Sequence, residues 1–127
     1  MKKSVTERWQ SLRPEIEEAL RHLWSTPELP MMEYRSAAYL TSWLENHGFA
    51  VESGVGGLPT AFVASYGSAL SPAVGLLAEY DAMPGLDNKA LPEVAPTGQV
   101  AGHACGHNQI GGANVGAAIA ARYVLED

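Results

Sequence analysis

Ala73-Val74-Gly75-Leu76-Leu77-Ala78-Glu79-Tyr80-Asp81-Ala82-Met83-Pro84 carries the reading of the fold. Residues 73–78 are apolar without alternation, the pattern of a central strand covered on both faces. Two carboxylates follow directly where the apolar run stops. In open α/β sheets, sites gather at the carboxyl ends of strands. Glu79 and Asp81 are two residues apart, so an extended backbone turns both to one side.

Upstream, Thr60–Tyr66 reads as a strand, and the short Gly67 to Pro72 link allows a hairpin between it and 73–78. Phe49–Glu52 is a further short strand, separated by a turn-rich stretch holding Gly54, Gly56, Gly57 and Pro59. Leu12, Ile16, Leu20 and Leu23 recur at helical spacing, with Trp9 and Trp24 near the ends. Pro14 suits a first turn, so this helix is expected to start near Arg13 and to end before Pro27. A second helix is expected from about Glu33 to Asn46, buried through Tyr39, Leu40, Trp43 and Leu44, with Gly48 in the left-handed cap. A third spans about Gln109 to Leu125, its small residues Ala113, Ala117, Ala120 and Val124 forming a smooth face for packing on a sheet. Residues 81–107 have no period and carry several prolines and glycines. A long irregular segment in a compact domain is usually functional.

Three strands and three helices make an α/β chain. A central-type strand with so few neighbours leaves an open edge, and the natural chain is expected to continue past Asp127. Missing sheet partners would favour self-association.

Bulk properties exclude several roles. Of 127 residues, 46% are hydrophobic and 17% charged, enough to bury a core. A net charge of −6 without a basic stripe argues against nucleic acid and anionic membranes. One cysteine forbids an internal disulfide, and a cytoplasmic, reducing location is expected. No run approaches the roughly 18 apolar residues of a membrane span.

The segment Gly102-His103-Ala104-Cys105-Gly106-His107-Asn108 carries the chemistry. Thiolate and imidazole suit a borderline-soft divalent metal. Cys105 and His107, two residues apart in extended backbone, can converge on one ion. Asn108 is placed as the N-cap of the last helix. A chance cluster and a cysteine nucleophile paired with a histidine remain alternatives, the latter lacking an oxyanion donor and a third orienting group. The acidic pair at 79 and 81 offers the carboxylate that holds a metal-bound imidazole. His22 is expected to face solvent, and His47 to sit where a cation suits the helix dipole. The tryptophans read as core or interface, and Asp87 and Lys89 are given no role.

Taken together, G-H-A-C-G-H-N and the preceding L-L-A-E-Y-D-A-M-P-G-L resemble the M20 metallopeptidase superfamily. The branch most similar is that of the aminoacylase-like amidohydrolases, which includes aminobenzoyl-glutamate, auxin-conjugate and hippurate hydrolases. W-S-T-P-E-L-P-M-M-E-Y-R-S-A, W-L-E-N-H-G-F-A-V and G-G-L-P-T-A-F-V-A extend the likeness over essentially the whole chain.

This resemblance implies the N-terminal part of a layered α/β/α catalytic domain, incomplete at its C-terminus, with the smaller dimerisation domain absent. It implies a site for two divalent metals, zinc or manganese. Cys105 and His107 map to ligands and Asp81 to the orienting carboxylate. Glu79 stands where other branches carry a histidine ligand, and His103 is not expected to be a ligand. The segment ends in Asn108 where most relatives have aspartate, a departure shared by the aminobenzoyl-glutamate-like group. The implied reaction is hydrolysis of an amide in N-acyl or aryl amino-acid conjugates, with water activated at the metals and a glutamate as general base. That glutamate belongs to a pair beyond the last helix, and Glu126 is not assigned to it. The chain alone is therefore expected to be inactive, and the full-length protein to be a homodimer or hetero-oligomer. The alternative is a non-catalytic truncated paralogue that binds a metal or a subunit.

Overall fold

The computed structural model describes residues 2–68 and 72–125. Four helices and two small antiparallel sheets are present among them: α1 Lys2–Ser11, α2 Arg13–Ser25, α3 Tyr34–Asn46, β1 Ala50–Ser53, β2 Phe62–Ser65, β3 Met83–Pro84, β4 Ala101–Gly102 and α4 His107–Leu125. The α/β class expected from the pattern holds. Glu126 and Asp127 lie outside the described residues.

Helix α2 starts at Arg13 as Pro14 requires, but a separate helix, α1, precedes it. Pro14 lacks an N–H and its ring crowds the carbonyl four residues back, so one continuous helix cannot run through Leu12. Leu12, Ile16, Ala19 and Leu23 from this region meet Leu40, Trp43 and Leu44 of α3 and Val115, Ile119 and Ala120 of α4 in one core. Burying each larger aliphatic side chain there contributes about 1.5–3 kcal/mol. Trp43 is in the core, whereas Trp9 and Trp24 remain partly exposed.

The buried face of α4 shares Ala120 with the expected one but is otherwise different. Gly111, Gly112, Val115, Gly116, Ile119 and Ala120 are buried, while Ala113 is exposed. This face packs on α1 and α2 rather than on a sheet. Glycine allows the close approach: a Cβ at Gly116 would stand 2.7 Å from Ile16 Cγ1, and one at Gly112 would stand 2.9 Å from Leu20 Cδ2. At Gly111 the nearest atom to a Cβ would be the Glu79 carbonyl, at 3.0 Å. Helix α4 thus runs beside the acidic segment.

Strand β2 pairs with β1, Ala50 opposite Ser65 and Ser53 opposite Phe62, not with residues 73–78. The connection from β1 passes through Gly54, Gly56 and Gly57, all at positive φ, a conformation glycine adopts without a Cβ penalty. The strand and hairpin expected at 73–78 are therefore corrected. Among the described residues that stretch has no ladder partner, and Val74 and Leu77 are 92% and 82% exposed. Hydrophobicity specifies what a segment can bury, but a strand exists only where another backbone completes its hydrogen bonds. Part of the Gly67 to Pro72 link, residues 69–71, lies outside the described residues.

Candidate metal site

The acidic stretch is held by the residue between its two carboxylates. The Tyr80 hydroxyl donates to the Thr60 carbonyl, and the Thr60 hydroxyl donates to Glu33 at 2.5 Å. The Tyr80 ring stacks on Phe62. Burial, with the Glu33 charge adding to it, pushes the Tyr80 phenol up to about 12, so the anchor stays protonated at ordinary pH. With Tyr80 turned inward, Glu79 and Asp81 on either side of it both reach toward His107.

Both carboxylates reach one imidazole. His107 Nδ1 lies 2.8 Å from Asp81 Oδ1, and His107 Nε2 lies 3.2 Å from Glu79 Oε2. His107 is mostly covered, Asp81 partly so, and Glu79 about half exposed. His107 occupies the first position of α4, and strands β3 and β4 bring it to Asp81. Met83 pairs with Gly102 and Pro84 with Ala101, closing the long segment into a hairpin.

That segment is organised by Asp87, which sequence reasoning passed over. Its carboxylate accepts from the Thr97 backbone and hydroxyl and from the backbone N–H groups of Gly98 and Gln99. These bonds, the Thr97 hydroxyl first, hold the carboxyl below its ordinary value. Asn88 adds a second clasp, accepting from the Ala95 N–H and donating to the Lys89 and Glu93 carbonyls. An Asp-Asn pair facing a Thr-Gly pair about ten residues on is the signal that could have located this staple.

Gly102 is wedged against the staple. A Cβ there would lie 2.3 Å from the Leu86 carbonyl oxygen and 2.4 Å from Asp87 Cα. His103 to Gly106 then form a turn closed by Gly106 N–H donating to His103 O at 3.0 Å, with Gly106 at φ +81°. Cys105 is exposed at its corner as a free thiol. His103 points the other way. It is 5% exposed, and its Nε2 lies 3.0 Å from the Leu23 carbonyl of α2. Burial keeps its basicity below the usual imidazole value. The tidy spacing of His103, Cys105 and His107 thus splits between two sides of the turn.

Asn108 is not the N-cap. Helix α4 starts at His107, so Asn108 lies buried inside its first turn. The left-handed glycine lets the chain enter the helix two residues earlier than the Asn signal implies. His22 is likewise not solvent-facing, since it stacks on Tyr39 with ring centroids 4.1 Å apart. His47 bridges helices instead of serving the dipole alone, with Nε2 2.8 Å from Glu15 and Nδ1 3.1 Å from the Tyr123 hydroxyl.

Among the described residues, no three His, Cys, Asp or Glu side chains converge as a metal cage. The donors present are nevertheless of the right kind. A metal-bound histidine characteristically gives its second N–H to a carboxylate, which is the relation of His107 to Asp81. Two shallow clefts, of about 510 and 470 Å³, lie between α2 and α3 and beside Trp9 and Leu20; neither is lined by His107 or Asp81, although the second reaches Asn108 and Gln109. No helix among the described residues is long and apolar enough to cross a membrane.

No family model matches the chain. It is 44% identical over 107 residues, 82% of its length, to one of the subunits of p-aminobenzoyl-glutamate hydrolase of Escherichia coli strain K12. It is 36% identical to the Xaa-Arg dipeptidase of Mus musculus, with 99% of the chain matched. It is 38% identical over 89 residues, 69% of the chain, to thermostable carboxypeptidase 1 of Saccharolobus solfataricus. The chain spans 22% of the first and third of these relatives and 28% of the second. Its fold superposes on the crystal structure of an aminohydrolase from methicillin-resistant Staphylococcus aureus, with TM-score 0.80 and 25% identity, over 99% of this chain and 32% of that one.

Proposed function

The chain belongs to the M20 amidohydrolase family, a family of hydrolases, and on that premise we propose that it carries part of a metal-dependent amide-hydrolysing site. Cys105 and His107 would hold a divalent metal, and Asp81 orients His107. The observation that carries this reading is the placement of His107 between two carboxylates. Asp81 accepts the Nδ1 proton, so a neutral ring turns its Nε2 lone pair toward Glu79. Two acceptors 3.2 Å apart need positive charge on or between them. A proton or a metal cation supplies it, and the exposed Cys105 thiol two residues away adds the ligand type that favours zinc. When bound, a divalent metal polarises a carbonyl and makes a coordinated water more acidic.

This chain's own residues have definite tasks in that scheme. Asp81 fixes the tautomer and direction of His107, and Tyr80 keeps Asp81 and Glu79 outward. The Asp87 staple holds the hairpin against which Gly102 and the ligand turn are docked. The general base and further ligands would come from residues outside these 127, so the chain alone would not turn over substrate. Zinc and manganese are the metals proposed, an amide in an N-acyl or aryl amino-acid conjugate the substrate, and the cytoplasm the location. Support for the substrate class comes from relatives named for p-aminobenzoyl-glutamate and for Xaa-Arg dipeptides. Assembly of the full-length protein with like or different subunits is proposed because the Escherichia coli relative is named as one subunit of its hydrolase.

Metal analysis of the full-length protein tests the reading. Wild type is expected to retain zinc or manganese after desalting and to hydrolyse p-aminobenzoyl-glutamate or an N-acyl amino acid. Cys105→Ser combined with His107→Ala is expected to lose both. Unchanged metal content in the double variant, or robust hydrolysis by the 127-residue chain alone, would overturn the assignment.

A further inference from the structure

We propose that His103 is a positioning residue for the ligand turn: its buried imidazole rivets the turn to the last turn of α2 and so sets where Cys105 and His107 are presented. The inference rests on the metal-site reading above. A carbonyl oxygen only accepts, so His103 Nε2 carries the proton donated to Leu23 O at 3.0 Å. Leu23 is wholly buried in the core, which makes its carbonyl a rigid anchor. That carbonyl also accepts from the Thr26 N–H at 3.2 Å, using both lone pairs. His103 Nδ1 is left bare and buried, without a hydrogen-bond partner.

An unpartnered acceptor at that depth is costly. An apolar side chain would fill the space without that cost, so filling space does not account for a histidine here. What the imidazole adds is a fixed direction from a rigid ring to a fixed carbonyl. The same residue also supplies the carbonyl that closes the turn, accepting from Gly106. The next residue toward the N-terminus, Gly102, is clamped against Leu86 and Asp87 and is paired with Met83 of β3. The ligand turn is thus fastened at two points, the Gly102 clamp and the His103 rivet. Cys105 and His107 leave the second point by two and four residues, so a rotation at His103 is transmitted to both. Asp81 is tied through β3 to the clamp rather than to the rivet. Loss of the rivet would therefore shift Cys105 and His107 relative to Asp81.

Cobalt-substituted full-length protein provides the test. Wild type is expected to show a near-ultraviolet thiolate-to-cobalt charge-transfer band that Cys105→Ser abolishes. His103→Ala is expected to weaken that band and to lower cobalt affinity by about tenfold or more, the range seen when groups behind metal ligands are removed. Its kcat is expected to fall with KM little changed. In His103→Gln the amide nitrogen can reach the place of Nε2, whereas in His103→Asn it cannot. Glutamine is expected to restore the band and affinity, and asparagine is not. This comparison holds even if the alanine variant fails to fold. Equal behaviour of the Gln and Asn variants, or wild-type affinity and band in His103→Ala, would overturn the rivet while leaving the metal site standing. Absence of any Cys105-dependent band in the wild type would overturn the metal-site reading, and the rivet with it.

Discussion

A carboxylate on one nitrogen of an imidazole decides what the other nitrogen can do. Asp81 holds His107 Nδ1 at 2.8 Å, and the tautomer follows from that bond. Asp81→Asn keeps the shape but offers a weaker acceptor, and its amide can flip to present a donor. Metal affinity of the full-length protein is expected to fall by about 10- to 100-fold, the range for such outer groups. Competition with a chelator of known affinity measures it, and an unchanged affinity would remove Asp81 from the role. His107, Cys105 and Asp81 were legible in the chain as candidates because their residue types and two-residue spacing are chemical statements. The direction of His103 was not legible, since nothing local to the turn says that the Leu23 carbonyl lies beneath it.

Elements here are joined by small residues and, between α2 and α3, by a polar knot. Gly116 sits where α4 crosses Ile16. Replacing it with alanine improves helix propensity by about 1 kcal/mol. The new Cβ would stand 2.7 and 2.8 Å from Ile16 Cγ1 and Cδ1, and overpacking of that kind costs about 1–3 kcal/mol. The clash is expected to win, so Gly116→Ala should lower the urea midpoint; a raised midpoint would mean that α2 and α4 separate freely. The knot is Glu15, which accepts from Trp43 Nε1 at 2.9 Å and pairs with His47 Nε2 at 2.8 Å, joining α2 to α3. Burial pushes its carboxyl up, but the bonds from His47 and Trp43 outweigh this and hold it below its ordinary 4.5. A depressed carboxylate contributes stability above its unfolded value and loses it as pH falls through the folded one. Unfolding midpoints should therefore decline below about pH 4.5, and Glu15→Gln should flatten that decline. Equal acid slopes in both proteins would rule the knot out.

At the scale of the whole molecule, a helical layer carries an apolar segment that nothing among the described residues covers. Val74 and Leu77 are almost fully exposed. Such a segment is a template for pairing with another chain. The 127-residue chain on its own is expected to self-associate as concentration rises, and Val74→Lys with Leu77→Lys to suppress it; light scattering that is flat for the unmodified chain would refute this. The amino-acid sequence by itself determined α2, α3 and α4, the start of α2 beside Pro14, the α/β class and the candidate ligand residues. Those depend on propensity, periodicity and side-chain chemistry, which act over a few residues. Tertiary structure alone decided that β2 pairs with β1, that α4 buries its glycine face and that His103 turns inward. Each of these depends on which distant backbone arrives alongside, and hydrogen bonds and close packing carry no mark of their partner in the local sequence.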